Sequence, residues 1–346
     1  MTQKPSLQPP LTLKDKIMKL TYNDLINLAK GASLLTTGGG LCLDDQLLSL
    51  RRHENISLEL KKLEDLDPDC LLVTASEVGT ADAKEMDKTH ILPQMLITWQ
   101  KLTGKTIGGV YAPELGQESI IIDTAIGLSV PLVDFDVAGG RAVPFVDINS
   151  FHALGKEYSI APLVVATDQG DVIAVDTPMS IHNVETFLRP LATLSKGGVA
   201  YFVGGAIRVG DILGEGIQNR SLSRSLQLGT AKNMNDIFSL ISPYLTLKGR
   251  VIGMKEINRN GFNCFEANFK TDNGDTLSLF ILNEILFIKD HNGKSCVEPP
   301  DKIFIIDERT LTGVSTKNLL SGKDVILCAS KADSLWDTDT APAIFG

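Results

Sequence analysis

Apolar positions along the chain fall into two rhythms. Leu25, Leu28 and Ala29 follow Thr21 at helical spacing, which predicts a helix opened by a threonine cap and stopped by Gly31. The run TTGGG at 36–40 comes next, then a second helical run from Asp44. Residues 70–75 form a short apolar run bounded by turn signals, so they read as a buried strand. Leu92, Met95, Leu96 and Trp99 return to helical spacing, and Gly104 closes that helix. The pattern then predicts a strand at 106–112, a helix at 117–127 and strands at 130–133, 162–167 and 172–175. Asp168-Gln-Gly-Asp171 between the last two is a hairpin signal. Val184, Phe187, Leu188 and Leu191 mark another helix, with Pro190 expected to bend it. A strand at 199–203 and a helix at 221–231 complete the alternation.

Near residue 236 the texture changes. Short β-type segments are separated by Asn260-Gly261, Asp272-Asn-Gly274 and His291-Asn-Gly293, which supply the positive φ of tight hairpins. The expected class is α/β: a layered domain with a largely parallel sheet over 21–235, then a smaller antiparallel β domain over 236–346. Residues 1–20, with three early prolines and several charges, are expected to form a flexible arm.

Composition narrows the functional classes. The 346 residues carry 33 Lys+Arg against 42 Asp+Glu, a formal charge of −9. With no basic stripe, nucleic acid is not an expected partner. No apolar run approaches the ~20 residues of a membrane helix, and the most apolar stretch, 277–288, is broken by Asn283 and Glu284. The five cysteines (Cys42, Cys70, Cys264, Cys296, Cys328) are scattered without a C-x-x-C pair, so buried reduced thiols and a cytoplasmic location are expected. The five histidines show no zinc pattern, and no G-x-S-x-G elbow is present.

Ligands of open parallel sheets bind beyond the carboxyl ends of the strands. The residues just past each predicted strand therefore suggest a site. Ser76-Glu77 succeeds the first, Pro113-Glu114-Leu-Gly116-Gln117 the second, and Asp134-Phe-Asp136-Val-Ala-Gly139-Gly140-Arg141 the third. Three loops each place a carboxylate beside glycine. Such a cluster suits acid/base chemistry, because neighbouring carboxylates push their pKa values apart, and it also suits a hard divalent cation. Arg141 would orient a carbonyl, imide or carboxylate. The bland alternative is that these acids cap helices and start turns. TTGGG either cradles an anion with exposed backbone N–H groups or forms a tight connection; it is neither a Walker loop nor a dinucleotide fingerprint.

The runs TTGGG at 36–40 and PELGQES at 113–119, with the Asp-x-Asp-x-x-Gly-Arg-x-x-Pro type segment around 134–144, resemble the DUF917 family, also called S-methyl thiohydantoin desulfurase-like. SLSRSLQLGTA at 221–231 and the tail with Asn283-Glu284, Pro299-Pro300-Asp301 and Trp336 are similar to the family as well. The resemblance implies an α/β domain followed by a β domain and hydrolytic desulfurisation of S-methyl thiohydantoins. Some relatives occur joined to hydantoinase/oxoprolinase-type proteins. Gly38, Gly39, Gly40, Glu114, Gly116, Asp134, Asp136, Gly140 and Arg141 stand on its motif positions. Two departures bear on substrate: Leu41-Cys42-Leu43 delays the next acid to Asp44, and the loop Glu77-Val-Gly79-Thr-Ala-Asp82 is more acidic.

The expected function is hydrolysis of a hydantoin-like cyclic amide. Asp136 or Glu114 would activate water, Asp134 would stay protonated, and Arg141 with the amides of Gly38, Gly39 and Gly40 would stabilise developing negative charge. Glu77, Gly116, Gln117 and Gly140 complete the expected substrate contacts. The alternatives are a metal-assisted hydrolase holding a divalent cation, and a non-catalytic subunit that partners a hydantoinase-type enzyme. A homo-oligomer is an expected state.

Overall fold

The structure, a computed structural model, describes residues 18–79, 83, 90–177, 179–217, 220–257, 262, 264–336 and 344–345. Residues 1–17 of the expected arm, Thr80 to Asp82, the Asn260-Gly261 turn, and 337–343 and 346 of the tail lie outside that set. Two eight-stranded sheets define two domains.

The first sheet contains β1 (Met18–Leu20), β2 (Leu58–Lys61), β3 (Leu71–Gly79), β4 (Gly109–Ala112), β5 (Leu132–Asp136), β6 (Leu163–Thr167), β7 (Val172–Val175) and β8 (Val199–Arg208). Their spatial order is β1-β2-β5-β4-β3-β8-β6-β7. The helices of this half are α1 (Tyr22–Leu35), α2 (Leu43–Leu50), α3 (Ile91–Thr103), α4 (Glu118–Leu128), α5 (Ser150–Ala153), α6 (Ile181–Leu194), α7 (Val209–Ile212), α8 (Ser221–Gly229) and α9 (Met234–Ile241).

The sheet is mixed, which corrects the expectation of a largely parallel one. It is parallel only from β2 through β5 and β4 to β3, where α3 and α4 supply the crossovers. Both flanks are antiparallel. Alternation of helix and strand in the sequence does not reveal that β8 returns against β3 and β6 and separates them. Gly204 and Gly205, just past the strand expected at 199–203, lie inside β8. A Cβ on Gly204 would press on the carbonyl oxygen of Ile160, and Gly205 takes a positive φ of 62° at an irregular stretch of the β3–β8 ladder.

Local signals explain the helix ends. Thr21 caps α1 through a reciprocal pair, its hydroxyl accepting from the Asp24 N–H while Asp24 accepts from the Thr21 N–H at 2.8 Å. Gly31, however, does not stop this helix. α1 runs four residues past it to Leu35, and Gly31 is where α8 crosses: a Cβ there would collide with the Ser225 carbonyl, as one on Gly229 would with that of Asn27. The glycines permit close helix packing. Leu25, Leu28, Ala32 and Leu35 beside them are buried in the main core with Trp99 and Ile121.

The second sheet is wholly antiparallel, in the order β13-β12-β11-β10-β9-β16-β14-β15. Its strands are β9 (Leu245–Glu256), β10 (Cys264–Thr271), β11 (Thr276–Leu282), β12 (Glu284–Lys289), β13 (Ser295–Val297), β14 (Lys302–Asp307), β15 (Thr312–Gly313) and β16 (Asp324–Ser330). Gly274 and Gly293 turn β10 into β11 and β12 into β13 with φ of 98° and 78°, as the sequence dipeptides require. Its own core gathers Val251, Phe269, Ile281, Ile288 and Leu327. Among the described residues, no helix is long and apolar enough to cross a membrane.

Candidate functional site

The TTGGG run joins the two halves. Its glycines each admit a different neighbour. A Cβ on Gly38 would meet the Thr316 methyl group at 2.8 Å, one on Gly39 would collide with the Glu284 carboxyl, and one on Gly40 would meet the Gly116 backbone at 2.8 Å. Backbone bonds fix the seam: Thr316 N–H donates to the Gly38 carbonyl (2.7 Å), Ile285 N–H to that of Thr37 (2.9 Å) and Leu41 N–H to that of Gly116 (2.8 Å). Of the two sequence readings, the tight connection is what the geometry displays.

Beside this seam lies a cavity of about 140 Å³ with walls from both domains. The first domain contributes Gly39, Gly40, Glu77, Glu114, Gln117 and Arg189; the second contributes Asn283, Glu284 and the turn from Ser315 to Lys317. Val78, Val143, Val146, Ile160, Ile181 and Phe202 line the apolar remainder.

Glu114 sits on the β4–α4 connection. Gln117 Nε2 donates to its Oε1 and the Val143 N–H to its Oε2, each at 2.9 Å. Burial nonetheless pushes its carboxyl up to about 7, with the charges of Glu185 and Asp136 adding to the rise. Glu284 opens β12, is 2% exposed, and its Oε2 has no hydrogen-bond partner. Burial first, and then the charge of Glu114, hold it well above the usual carboxylate range, while Arg141 and Arg189 pull the other way. Two carboxyls from two domains thus share one cavity, both held above the ordinary carboxylate range.

The other expected residues separate into two groups. Glu77, Gln117, Gly39 and Gly40 reach the cavity, whereas Asp134, Asp136, Arg141, Gly38, Gly116 and Gly140 do not line it. The reason for the aspartates is register. β5 continues through residue 136, so Asp134 and Asp136 project from the strand, two residues apart on one side, toward α8. Asp134 accepts from the Ser223 N–H (2.9 Å) and hydroxyl in the first turn of α8. Asp136 accepts from the Gly140 N–H at 2.8 and 3.0 Å and bonds Ser221; burial raises it to about 6. Arg141, 1% exposed, donates to the Pro300 carbonyl (2.7 Å) and lies 4.7 Å from the Phe345 ring centroid. Burial lowers its pKa to about 10, and its charge acts on Glu284. Gly140 faces Lys302, whose Nζ donates to its carbonyl at 3.2 Å. Gly38 and Gly116 serve the seam described above.

Sequence reasoning missed Glu284, Glu185 and Arg189 as site residues. A glutamate inside the apolar stretch 277–288 was a visible signal, since a buried strand does not take up a carboxylate without a reason. Glu185 and Arg189 pair at i,i+4 on α6; Arg189 also donates to the Gly79 carbonyl (2.6 Å) and lies 4.1 Å from the Phe262 ring centroid. Among the described residues, no three His, Cys, Asp or Glu side chains are grouped so as to hold a metal ion.

A two-domain chain with an acidic cavity on the domain seam is the class that fold and site define. Family models give it a lineage: S-Me-THD-like N-terminal domain matches residues 23–177 and S-Me-THD-like C-terminal domain matches 179–346. The chain therefore belongs to the S-Me-THD-like (DUF917) family, which carries a hydantoin-related function at family level. A crystal structure of a protein from Chromobacterium violaceum has the same fold, with a TM-score of 0.75, 19% identity and 95% of each chain covered. No curated protein matches the chain.

Proposed function

We propose that this protein is a small-molecule hydrolase of S-methyl thiohydantoin or related hydantoin-like rings, working through Glu114 and Glu284. The supporting observation is the pair of carboxyls, one from each domain, on the walls of one cavity. Near neutral pH an ionised Glu114 can accept a proton while Glu284 stays protonated and can give one.

Water oxygen bonds to the ring carbon that carries sulfur as Glu114 takes one water proton. The C–S bond then breaks, and Glu284 delivers its proton to the departing sulfur. The second water proton ends on the ring nitrogen, leaving a carbonyl and free methanethiol. Proton return from Glu114 to Glu284 restores the starting pair. The N–H bonds from Gln117 and Val143 keep Glu114 oriented, and the charge of Arg141 limits how far the proton affinity of Glu284 rises.

The test is thiol release from S-methyl thiohydantoin by wild type, Glu114→Gln and Glu284→Gln. Losing one member of an acid/base pair is expected to cost about 10²-fold or more in kcat. Equal rates in all three proteins would remove the pair from the reaction. Absence of turnover on any hydantoin by wild type would favour the alternative, a subunit that acts with a hydantoinase-type partner.

A further inference from the structure

We infer that Gln117 is the positioning residue of the site, its amide nitrogen fixing both the orientation and the proton affinity of Glu114. The inference deepens the hydrolase reading and rests on it for its catalytic consequence, though not for its physical one.

An amide side chain can present either its oxygen or its nitrogen to a neighbour, and here the choice is forced. Gln117 Oε1 sits 2.9 Å from the Glu77 backbone nitrogen, which can only donate, and 2.6 Å from the Ser76 hydroxyl. Oxygen therefore takes the two donors of β3, which leaves Nε2 as the group turned toward acceptors. It donates to Glu114 Oε1 at 2.9 Å and to the Glu77 carbonyl at 3.3 Å. The orientation is set by backbone groups of a sheet strand, so it does not depend on how Glu114 is protonated.

The other groups around Glu114 make that donor matter. Acidic side chains reach it from α6 (Glu185), from the end of β5 (Asp136) and, in protonated form, from β12 (Glu284), while the cation Arg189 projects from α6 into the same cavity. Glu77 belongs to the same wall, at the end of β3. Burial and the charges of Glu185 and Asp136 raise the carboxyl, and among the described residues the N–H groups of Gln117 and Val143 act on it as hydrogen-bond donors that lower it. The Val143 donor is main chain and cannot be varied by sequence. Gln117 is thus the side chain through which the sequence tunes this acid, and with both oxygens each holding one N–H, Glu114 keeps a fixed face toward a ligand.

The experiment tracks the Glu114 carboxyl directly by ¹³C NMR, in protein labelled at the glutamate side-chain carboxyl, with Glu114→Gln assigning the signal. Gln117→Leu is expected to move its midpoint upward by about one pH unit, the worth of one lost hydrogen bond to a charged group. The isosteric Gln117→Glu keeps the packing should the leucine variant fail to fold, and is expected to replace the single titration by two steps shared between facing carboxyls. Ser76→Ala, which loosens Gln117 without touching Glu114, is expected to shift the midpoint upward by less. A Glu114 midpoint unchanged in both Gln117 variants overturns the assignment. Thiohydantoin turnover by the same proteins is a separate readout: the acid limb of kcat should move with the NMR midpoint. An NMR shift without turnover in wild type would sink the hydrolase reading and leave the positioning role intact.

Discussion

Replacing Glu114 by glutamine should change the pH dependence of folding in a way that separates burial from hydrogen bonding. In the folded protein burial pushes the Glu114 carboxyl up to about 7, from an ordinary value of 4.5. Between those values the native state holds a proton that the unfolded chain has lost, so stability falls as pH rises through that window. At about 1.4 kcal/mol per pH unit, the interval amounts to a cost of about 3 kcal/mol, fully developed above pH 7. Glutamine carries no such cost. It does lose an acceptor: its single carbonyl oxygen serves either Gln117 Nε2 or the Val143 N–H, and its own nitrogen then faces the other donor. That mismatch costs about 1–2 kcal/mol at every pH. The variant should therefore be less stable than wild type near pH 5 and more stable near pH 8. Urea unfolding followed by far-UV circular dichroism at several pH values gives both curves. Glu118, raised to about 7, and Asp136, raised to about 6, tilt both in the same sense; loss of the Glu114 charge also relieves Glu118 and Glu284, which adds to the variant's gain at high pH. Parallel curves that never cross would refute the reasoning, since Glu114 would then be titrating alike in folded and unfolded chains.

Three further outcomes test the architecture. Gly39→Ala places a methyl group against the Glu284 carboxyl, so thiol release should drop at least about tenfold while far-UV circular dichroism is retained. Gly31→Ala should destabilise by about 1–3 kcal/mol in urea unfolding, because α8 must back away from α1; a neutral result would mean that the helices do not touch there. Asp134→Ala removes the acceptor at the start of α8 and should cost about 1–3 kcal/mol of stability, with kcat in the intact protein largely kept; a catalytic loss without a stability loss would return Asp134 to the reaction.

Much of the fold was readable because each signal was local. The Thr21–Asp24 cap and the glycines at 274 and 293 act within a few residues, and the helices and hairpins they mark are present. The sheet's strand order was not readable, because β8 pairs with β3 across more than a hundred residues. The site was half legible for the same reason. Glu77, Glu114 and Gln117 stand at or beyond strand ends, where an α/β sheet exposes its ligands. Asp134 and Asp136 carry an identical local signature, yet the β5 strand runs through both and the helix α8, remote in sequence, covers them. Glu284 needed the second domain to be docked before its neighbour Glu114 could be identified. The glycines of TTGGG left an anion cradle and a tight connection equally open, and the partners they admit, a carboxyl, a methyl group and another glycine's backbone, lie beyond the reach of a local pattern.

The seam also makes proton affinity a gauge of docking. Glu284, on the second domain, owes part of its raised proton affinity to the charge of Glu114 on the first, and Arg141 and Arg189 of the first pull it the other way. Pulled apart, the halves would free Glu284 of those charges, and its titration would shift. The halves matched by the two family models, 23–177 and 179–346, do not coincide with the seam, because β8 from the second is woven between β3 and β6 of the first. A chimera joined at that boundary would have to rebuild a sheet as well as a reaction chamber, and its acid–base titration would report whether it had succeeded.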